Sequence, residues 1–182
     1  MEEYVDILDE QGKHTGKTAP KSEAHRKGLF HPTVHVWLYQ GNGMVLMQQR
    51  GHLKDTHPLL WDVSVAGHIH AGETVGSAAL REVEEEIGLR IAESKLEKIG
   101  VFKEVQQHRK DLLDCEFHHT FLCALEVPFS SLKKQDSEVE ALSMVPLTLL
   151  AEEVWGLARP QKYVPHGTAY YQTVIKAIQA RL

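Results

Sequence analysis

The stretch Gly67-His-Ile-His-Ala-Gly-Glu73-Thr-Val-Gly-Ser-Ala-Ala-Leu-Arg81-Glu-Val-Glu-Glu-Glu-Ile-Gly-Leu89 decides how the rest of the chain is read. Its second half predicts a helix from Val75 to Ile87. No proline interrupts it, Thr74 offers a side-chain oxygen to the free amides of the first turn, and Gly88 can end it in the left-handed conformation. At about 100° per residue, Ala79, Leu80, Val83 and Ile87 share one arc, and Glu82, Glu85 and Glu86 the adjoining one. One side packs; the other carries three carboxylates.

Like charges at these spacings repel by a few tenths of a kcal/mol per pair on a solvated helix. The ordinary reading of such an arc is a solvated acidic face. Its other reading is a site for a hard divalent cation, which oxygen ligands bind best. Arg81, four residues before Glu85, can hold one carboxylate but cannot neutralise three.

The complete pattern settles which reading is taken, because it resembles the Nudix box. Gly67, Glu73, Arg81, Glu82, Val83, Glu85, Glu86, Gly88 and Leu89 match every fixed position at its spacing. The resemblance implies a loop, helix, loop unit over 67–89 that binds magnesium or manganese and hydrolyses a small-molecule diphosphate. It makes Glu86 and Glu82 the first choices as metal ligands and Glu85 a further one, with a backbone carbonyl of Ala66 or Gly67 completing the set. It also implies that Arg81 pairs with Glu73 to position the helix. Glu82, Glu85 and Glu116 all stay open as the general base.

Composition is consistent with one soluble domain spanning 1–182. The chain has 182 residues, 42% of them hydrophobic and 25% charged, enough for one sizeable core. A formal net charge of −5 without a dense basic run argues against a broad nucleic-acid or membrane surface. Cys115 and Cys123 form neither a CxxC pair nor a disulfide framework. No apolar run reaches the roughly 18 residues of a spanning helix, and the acidic start at Met1-Glu-Glu is unlike a signal peptide. A cytoplasmic location is expected, and a homodimer is left open.

Taken in order, the chain predicts an N-terminal hairpin unit over 1–28, with strands at Tyr4–Leu8 and Lys13–Lys17 and a short helix or loop from Ser22 to Gly28. A second hairpin is expected from Thr33–Tyr39 and Met44–Arg50 around Gly41-Asn-Gly43. Further strands are expected at Leu60–Ala66, Leu96–Val105, Glu116–Val127 and Leu142–Val145. Gln106–Leu113 reads as a mobile polar loop, and Thr148–Trp155 as a helix capped by Thr148. Pro160 and Pro165 bracket a loop before an amphipathic helix over 166–182. This order gives an α+β, or mixed α/β, fold with helices covering a mixed sheet. The Nudix resemblance sharpens it to an α/β/α sandwich.

The order from Leu60 through Gly67-His68 to Glu73, the Asp9-Glu-Gln-Gly12 turn, and His25 with His31 resemble the isopentenyl-diphosphate isomerase branch of the superfamily. That resemblance places His25, His31, His68, Asp114 and Glu116 at the metal-ligand positions of those isomerases. Whether they form a second metal site is left open. Isomerases of this branch carry a catalytic cysteine immediately before the Gly-His, where this chain has Ala66, and their box glutamates are degraded where these are intact. Both departures favour hydrolysis over isomerisation, with a catalytically silent ligand-binding module as the third reading.

Overall fold

The alternating N-terminus forms β1 (Tyr4–Leu8) and β2 (His14–Pro20), an antiparallel pair followed by α1 (Lys21–Lys27), which Gly28 ends in the left-handed region at φ 64°. Next come β3 (His31–Tyr39), β4 (Met44–Arg50), β5 (Trp61–Asp62) and β6 (Val65–His68). The predicted helix is α2 (Val75–Ile87), and β7 (Glu97–Arg109) and β8 (Leu112–Ala124) are long strands. The chain closes with β9 (Val139–Pro146), α3 (Leu147–Val154) and α4 (Thr168–Gln179). This computed structural model describes residues 2–155 and 161–182; Pro160 lies outside them. No helix among the described residues is long and apolar enough to cross a membrane.

Seven strands form one mixed sheet in the order β5-β4-β3-β8-β7, with β6 added to β3 and β9 to β4. β3 and β8 run parallel, in register from His31↔Glu116 to Tyr39↔Ala124; the other pairs are antiparallel. Strand alternation sends Val34, Val36, Leu38, Leu46 and Phe121 to one face, where they bury Ala78, Ala79, Val83 and Ile87 of α2. Trp37, Val45, Met47 and Leu122 point the other way, against Leu150 of α3 and Tyr171, Val174, Ile175 and Ile178 of α4. Helices on both faces make the α/β/α sandwich. Each large apolar side chain buried in it contributes roughly 1.5–3 kcal/mol.

Four local expectations are corrected. The second hairpin exists only at its mouth: β3 and β4 pair solely at Tyr39↔Val45 and then diverge, β3 to β6 and β4 to β9. The Leu60–Ala66 strand is broken into β5 and β6, because Asp62 Oδ1 turns back to accept the Val63 amide at 2.8 Å. Gln106–Leu113 is the tip of the β7–β8 hairpin, where Gln106↔Asp114 and Gln107↔Leu113 still pair. Finally, α3 starts at Leu147 behind Pro146, with no side-chain cap from Thr148.

Ser64 holds the divergent strands together. Fully buried, it accepts the Leu38 amide of β3 at 2.8 Å and donates to the Leu46 carbonyl of β4 at 2.5 Å. Replacing it with alanine strands buried backbone groups, at about 1–3 kcal/mol for an unsatisfied group. Ser64→Ala should therefore lower the unfolding free energy by ~2 kcal/mol, read from urea denaturation. A change within about 0.5 kcal/mol, as at an ordinary surface position, would show that the serine does not bridge the strands.

Candidate active site

Helix α2 is capped as its sequence demands. Thr74 Oγ1 accepts the Ser77 amide at 3.1 Å, and Gly88 turns left-handed at φ 67°. Its packing face fixes its rotation, so Glu82, Glu85 and Glu86 are directed at a cavity of about 380 Å³ that Glu116 and Arg81 also line. Gly67 makes room: a Cβ there would collide with the Glu82 carboxylate.

Arg81 is tied more widely than an i, i+4 pair would allow. It grips Glu73 with two hydrogen bonds, at 3.0 and 2.9 Å, and donates to the His68 carbonyl at 2.9 Å. It also reaches Glu82 at 2.6 Å and Glu85 at 3.1 Å. The loop and the helix are thus locked through one guanidinium. Burial works against ionised Glu73, but Arg81 and the His70 amide hold its carboxyl below the ordinary range.

Glu86 lies beyond that reach. Its Oε2 accepts from Gln48 Nε2 at 2.7 Å and the Ala66 amide at 3.2 Å, and no ion pair to it forms among the described residues. Burial, only partly offset by Gln48, pushes its pKa up to about 8. Burial likewise raises Glu82 to about 7, against the pull of Arg81. A buried carboxylate without an ion-pair partner fits a ligand for a hard divalent cation.

Register assembles a second group from distant parts of the chain. His31 of β3 lies beside Glu116 of β8, and Thr33 beside His68 of β6. With His25 from α1, these residues place one potential ligand atom each within 4.8 Å of one another: His25, His31, His68 and Glu116. Glu116 Oε1 is 3.4 Å from both His31 Nε2 and His68 Nε2. Asp114, expected among the ligands, instead stands behind His25, accepting at 2.8 Å from Nδ1 and bonding His108 at 2.7 Å. Burial drives His68 down to about 4, keeping it neutral and able to bind a metal. His31 Nε2 is buried without a hydrogen-bond partner while Nδ1 meets the Leu29 carbonyl at 2.8 Å. That orphaned nitrogen, aimed into three other donors, fits a metal ligand.

The rest of the lining is mostly polar, including Thr33, His35, Asp62, Glu104 and His166, with Lys21, Arg50 and Lys54 among the basic groups and Leu112 and Val164 among the apolar ones. Sequence reading missed Asp62, Glu104 and His166. Only the alternation of Glu104 and Gln106 on β7, and of Glu116 and His118 on β8, hinted that these strands turn polar residues inward. Trp37 is fully buried in the core, Trp61 packs against its edge, and Trp155 is exposed.

A family model described as the NUDIX domain matches residues 29–166. Nudix hydrolase 3 of Arabidopsis thaliana is 38% identical over 80% of this chain, which spans only 19% of that relative's length. An uncharacterised Nudix hydrolase of Clostridium acetobutylicum is 30% identical over 97% of each chain. An isopentenyl-diphosphate Delta-isomerase of Serratia proteamaculans is 25% identical over 99% of this chain and 93% of its own. A crystal structure from Deinococcus radiodurans superposes with a TM-score of 0.72 at 17% identity, covering 96% of this chain and 98% of that one. A family match of that extent, on a chain already folded as the resemblance predicts, makes this protein a member of the Nudix family, with both hydrolases and isopentenyl-diphosphate isomerases among its relatives.

Proposed function

We propose that this chain is a divalent-metal-dependent hydrolase of a phosphoanhydride, either a nucleoside diphosphate linked to another group or a related small diphosphate. The observation that carries the reading is Glu86, buried at the cavity with no ion-pair partner among the described residues, next to Glu82 and Glu85 on the same helix. Glu82, Glu85 and Glu86 would hold magnesium or manganese. When bound, the cation neutralises phosphate charge and lets a water attack at neutral pH.

The chain's own residues supply positioning and proton transfer. Arg81 and Glu73 clamp the loop to the helix, so the carboxylates need not reorganise as charge develops. Lys21, Arg50 and Lys54 line the cavity but are paired with Glu3, Asp62 and Glu138, so in this acidic site the bound cation is what would make room for an anionic substrate. Of the open candidates for general base, Glu116 is the weakest. Burial alone would raise it, but His31 and His68 hold it well below the ordinary range. Glu82 and Glu85 remain, and the base is whichever of the two the cation leaves unligated. The polar lining supports a polar group on the diphosphate, because a pocket for a prenyl chain would be mostly apolar.

The isomerase relatives and the His25, His31, His68 and Glu116 cluster favour a second reading. Against it stands the residue at the proton donor's place. Ala66 lines the cavity where the cysteine of those isomerases would stand, and a methyl group transfers no proton. Ser64 cannot substitute, since its hydroxyl is fully buried between β3 and β4, and Cys115 packs beneath the Gly28 turn.

Three outcomes test these assignments. Glu86→Gln keeps shape and removes charge, so turnover at saturating magnesium should fall by ~10²-fold or more on whichever substrate is found. The search panel is nucleoside diphosphates, nucleotide sugars, dinucleoside polyphosphates and prenyl diphosphates, scored by phosphate release. Wild-type turnover by the variant would remove Glu86 from the site, and tight binding without turnover across the panel would favour the silent module.

The second outcome concerns pH. In the metal-free protein Glu82 and Glu86 bind protons more tightly than in the unfolded chain, where their value is near 4.5. Their contribution to stability is present below that value and is lost as pH rises through about 7 and 8. A cation that replaces those protons restores it. Magnesium should thus raise the melting temperature more at roughly pH 8.5 than at roughly pH 6; an equal rise at both would contradict the assignment.

Third, incubation with isopentenyl diphosphate in deuterated water, with magnesium or manganese, should leave the prenyl chain unlabelled by mass spectrometry. Deuterium uptake, or the appearance of dimethylallyl diphosphate, would restore the isomerase reading.

A further inference from the structure

A third constellation adjoins the same cavity, apart from the box glutamates and joined to the His25, His31, His68 and Glu116 cluster where His118 Nδ1 comes within 3.5 Å of Glu116 Oε2. Glu104 of β7, His118 of β8 and His166, just ahead of α4, bring one donor atom each within 4.8 Å of one another. Glu104 Oε2 is 2.8 Å from His118 Nε2 and 3.1 Å from His166 Nδ1. The far nitrogen of each ring is also engaged. His166 Nε2 meets Asp62 Oδ1 at 2.7 Å, and His118 Nδ1 meets Thr33 Oγ1 at 2.7 Å. Asp62 is itself fixed by Arg50 at 3.1 Å.

We propose that Glu104, His118 and His166 form a binding site for a transition-metal cation of the zinc class, open on its remaining side to the active-site cavity.

Three features carry this. The donor set, two imidazoles and one carboxylate, is the type used by open, three-ligand zinc sites, and imidazole also suits copper, nickel and iron. The outer contacts are those a metal site needs. A carboxylate or hydroxyl on the far nitrogen fixes the ring and leaves the near nitrogen's lone pair for the cation, as Asp62 does for His166 and Thr33 for His118. The spacing also fits. Zinc bonds of about 2.0–2.2 Å set neighbouring donors roughly 3.3 Å apart. The two Glu104 contacts fall short of that by only a few tenths of an ångström, a shift that one glutamate side chain can supply.

The frame is stiff. His118 is 2% exposed and sits on the central strand β8, while Glu104 is on its neighbour β7 and so lies diagonally across the ladder. Without a cation the cluster holds itself together by a proton: burial opposes a charge on His166, but Asp62 and Glu104 push its pKa up to about 10. The rival account is therefore a closed ion-pair network that binds nothing.

Metal content separates the two without reference to turnover, so the outcome does not depend on the hydrolase reading. The full chain would be stripped with a chelator, dialysed against buffered nanomolar zinc, and assayed by atomic emission. A His25→Ala/His68→Ala variant, which dismantles the neighbouring cluster, should still retain a zinc ion per chain. Adding Glu104→Gln, which keeps the shape, should remove it. Cobalt in place of zinc should give the double variant a strong visible absorption of tetrahedral type, lost with Glu104→Gln. If the variants do not fold, crystals of the wild-type chain equilibrated in the same zinc buffer give the answer by anomalous scattering at the zinc edge. A peak between Glu104, His118 and His166 supports the site. No zinc in the folded double variant, or no peak at that position, overturns it.

Discussion

The divergence of β3 from β4 is the constraint on which the site depends. If the two strands paired along their length, the sheet would be a closed wall between α2 and α4. Their ladder instead stops after Tyr39↔Val45, and β6 slips in beside β3. Through that opening Glu86, on the α2 side, reaches the Ala66 amide of β6 and the Gln48 side chain of β4. Thr33, His35 and His68 project from the other face, on the parity of His31 and Trp37, yet line the same cavity. A sheet edge left open in the interior exposes backbone polar groups. Ser64 satisfies two of them, which is why a small hydroxyl residue stands where an apolar one would pack better.

Electrostatics then sorts the buried charges into two kinds. Asp62, Glu73, Glu104 and Glu116 each face a guanidinium or imidazoles, and although burial works against them all, these partners hold their carboxyls below the ordinary range. Glu82 and Glu86 go the other way, pushed up to about 7 and about 8 by burial. Breaking up a buried charge pair commonly costs 3–5 kcal/mol, so the first kind rigidifies the scaffold. The second kind is incomplete in the protein alone, and repulsion between Glu82 and Glu86 adds to the deficit. Glu82 keeps its contact with Arg81, whereas Glu86 has no ion pair among the described residues, and the proposed divalent cation would supply positive charge to both without a further side chain in the cavity.

What could be read from the sequence was what is local along the chain. The Val75–Ile87 helix, its Thr74 cap and its Gly88 stop depend on residues within a few positions of one another, and they stand as expected. The packing face of α4, with Tyr171, Val174, Ile175 and Ile178, is likewise a matter of helical period. Strand partners are not local. Two alternating segments around Gly41-Asn-Gly43 look the same whether they pair fully or splay, since alternation records which face is buried and not which neighbour supplies the hydrogen bonds. The same limit hid the Glu104, His118 and His166 cluster. Its members are 14 and 62 positions from Glu104, joined only by the β7–β8 register and by the approach of the segment before α4. His25, His31 and His68 were flagged only through the isomerase resemblance, which carries register information that no single sequence contains. Even there the assignment of Asp114 was too simple. Alternation puts Asp114 and Glu116 on the same face of β8, but only the register with His31 decides that Glu116 meets the cluster while Asp114 falls one step outside it, behind His25.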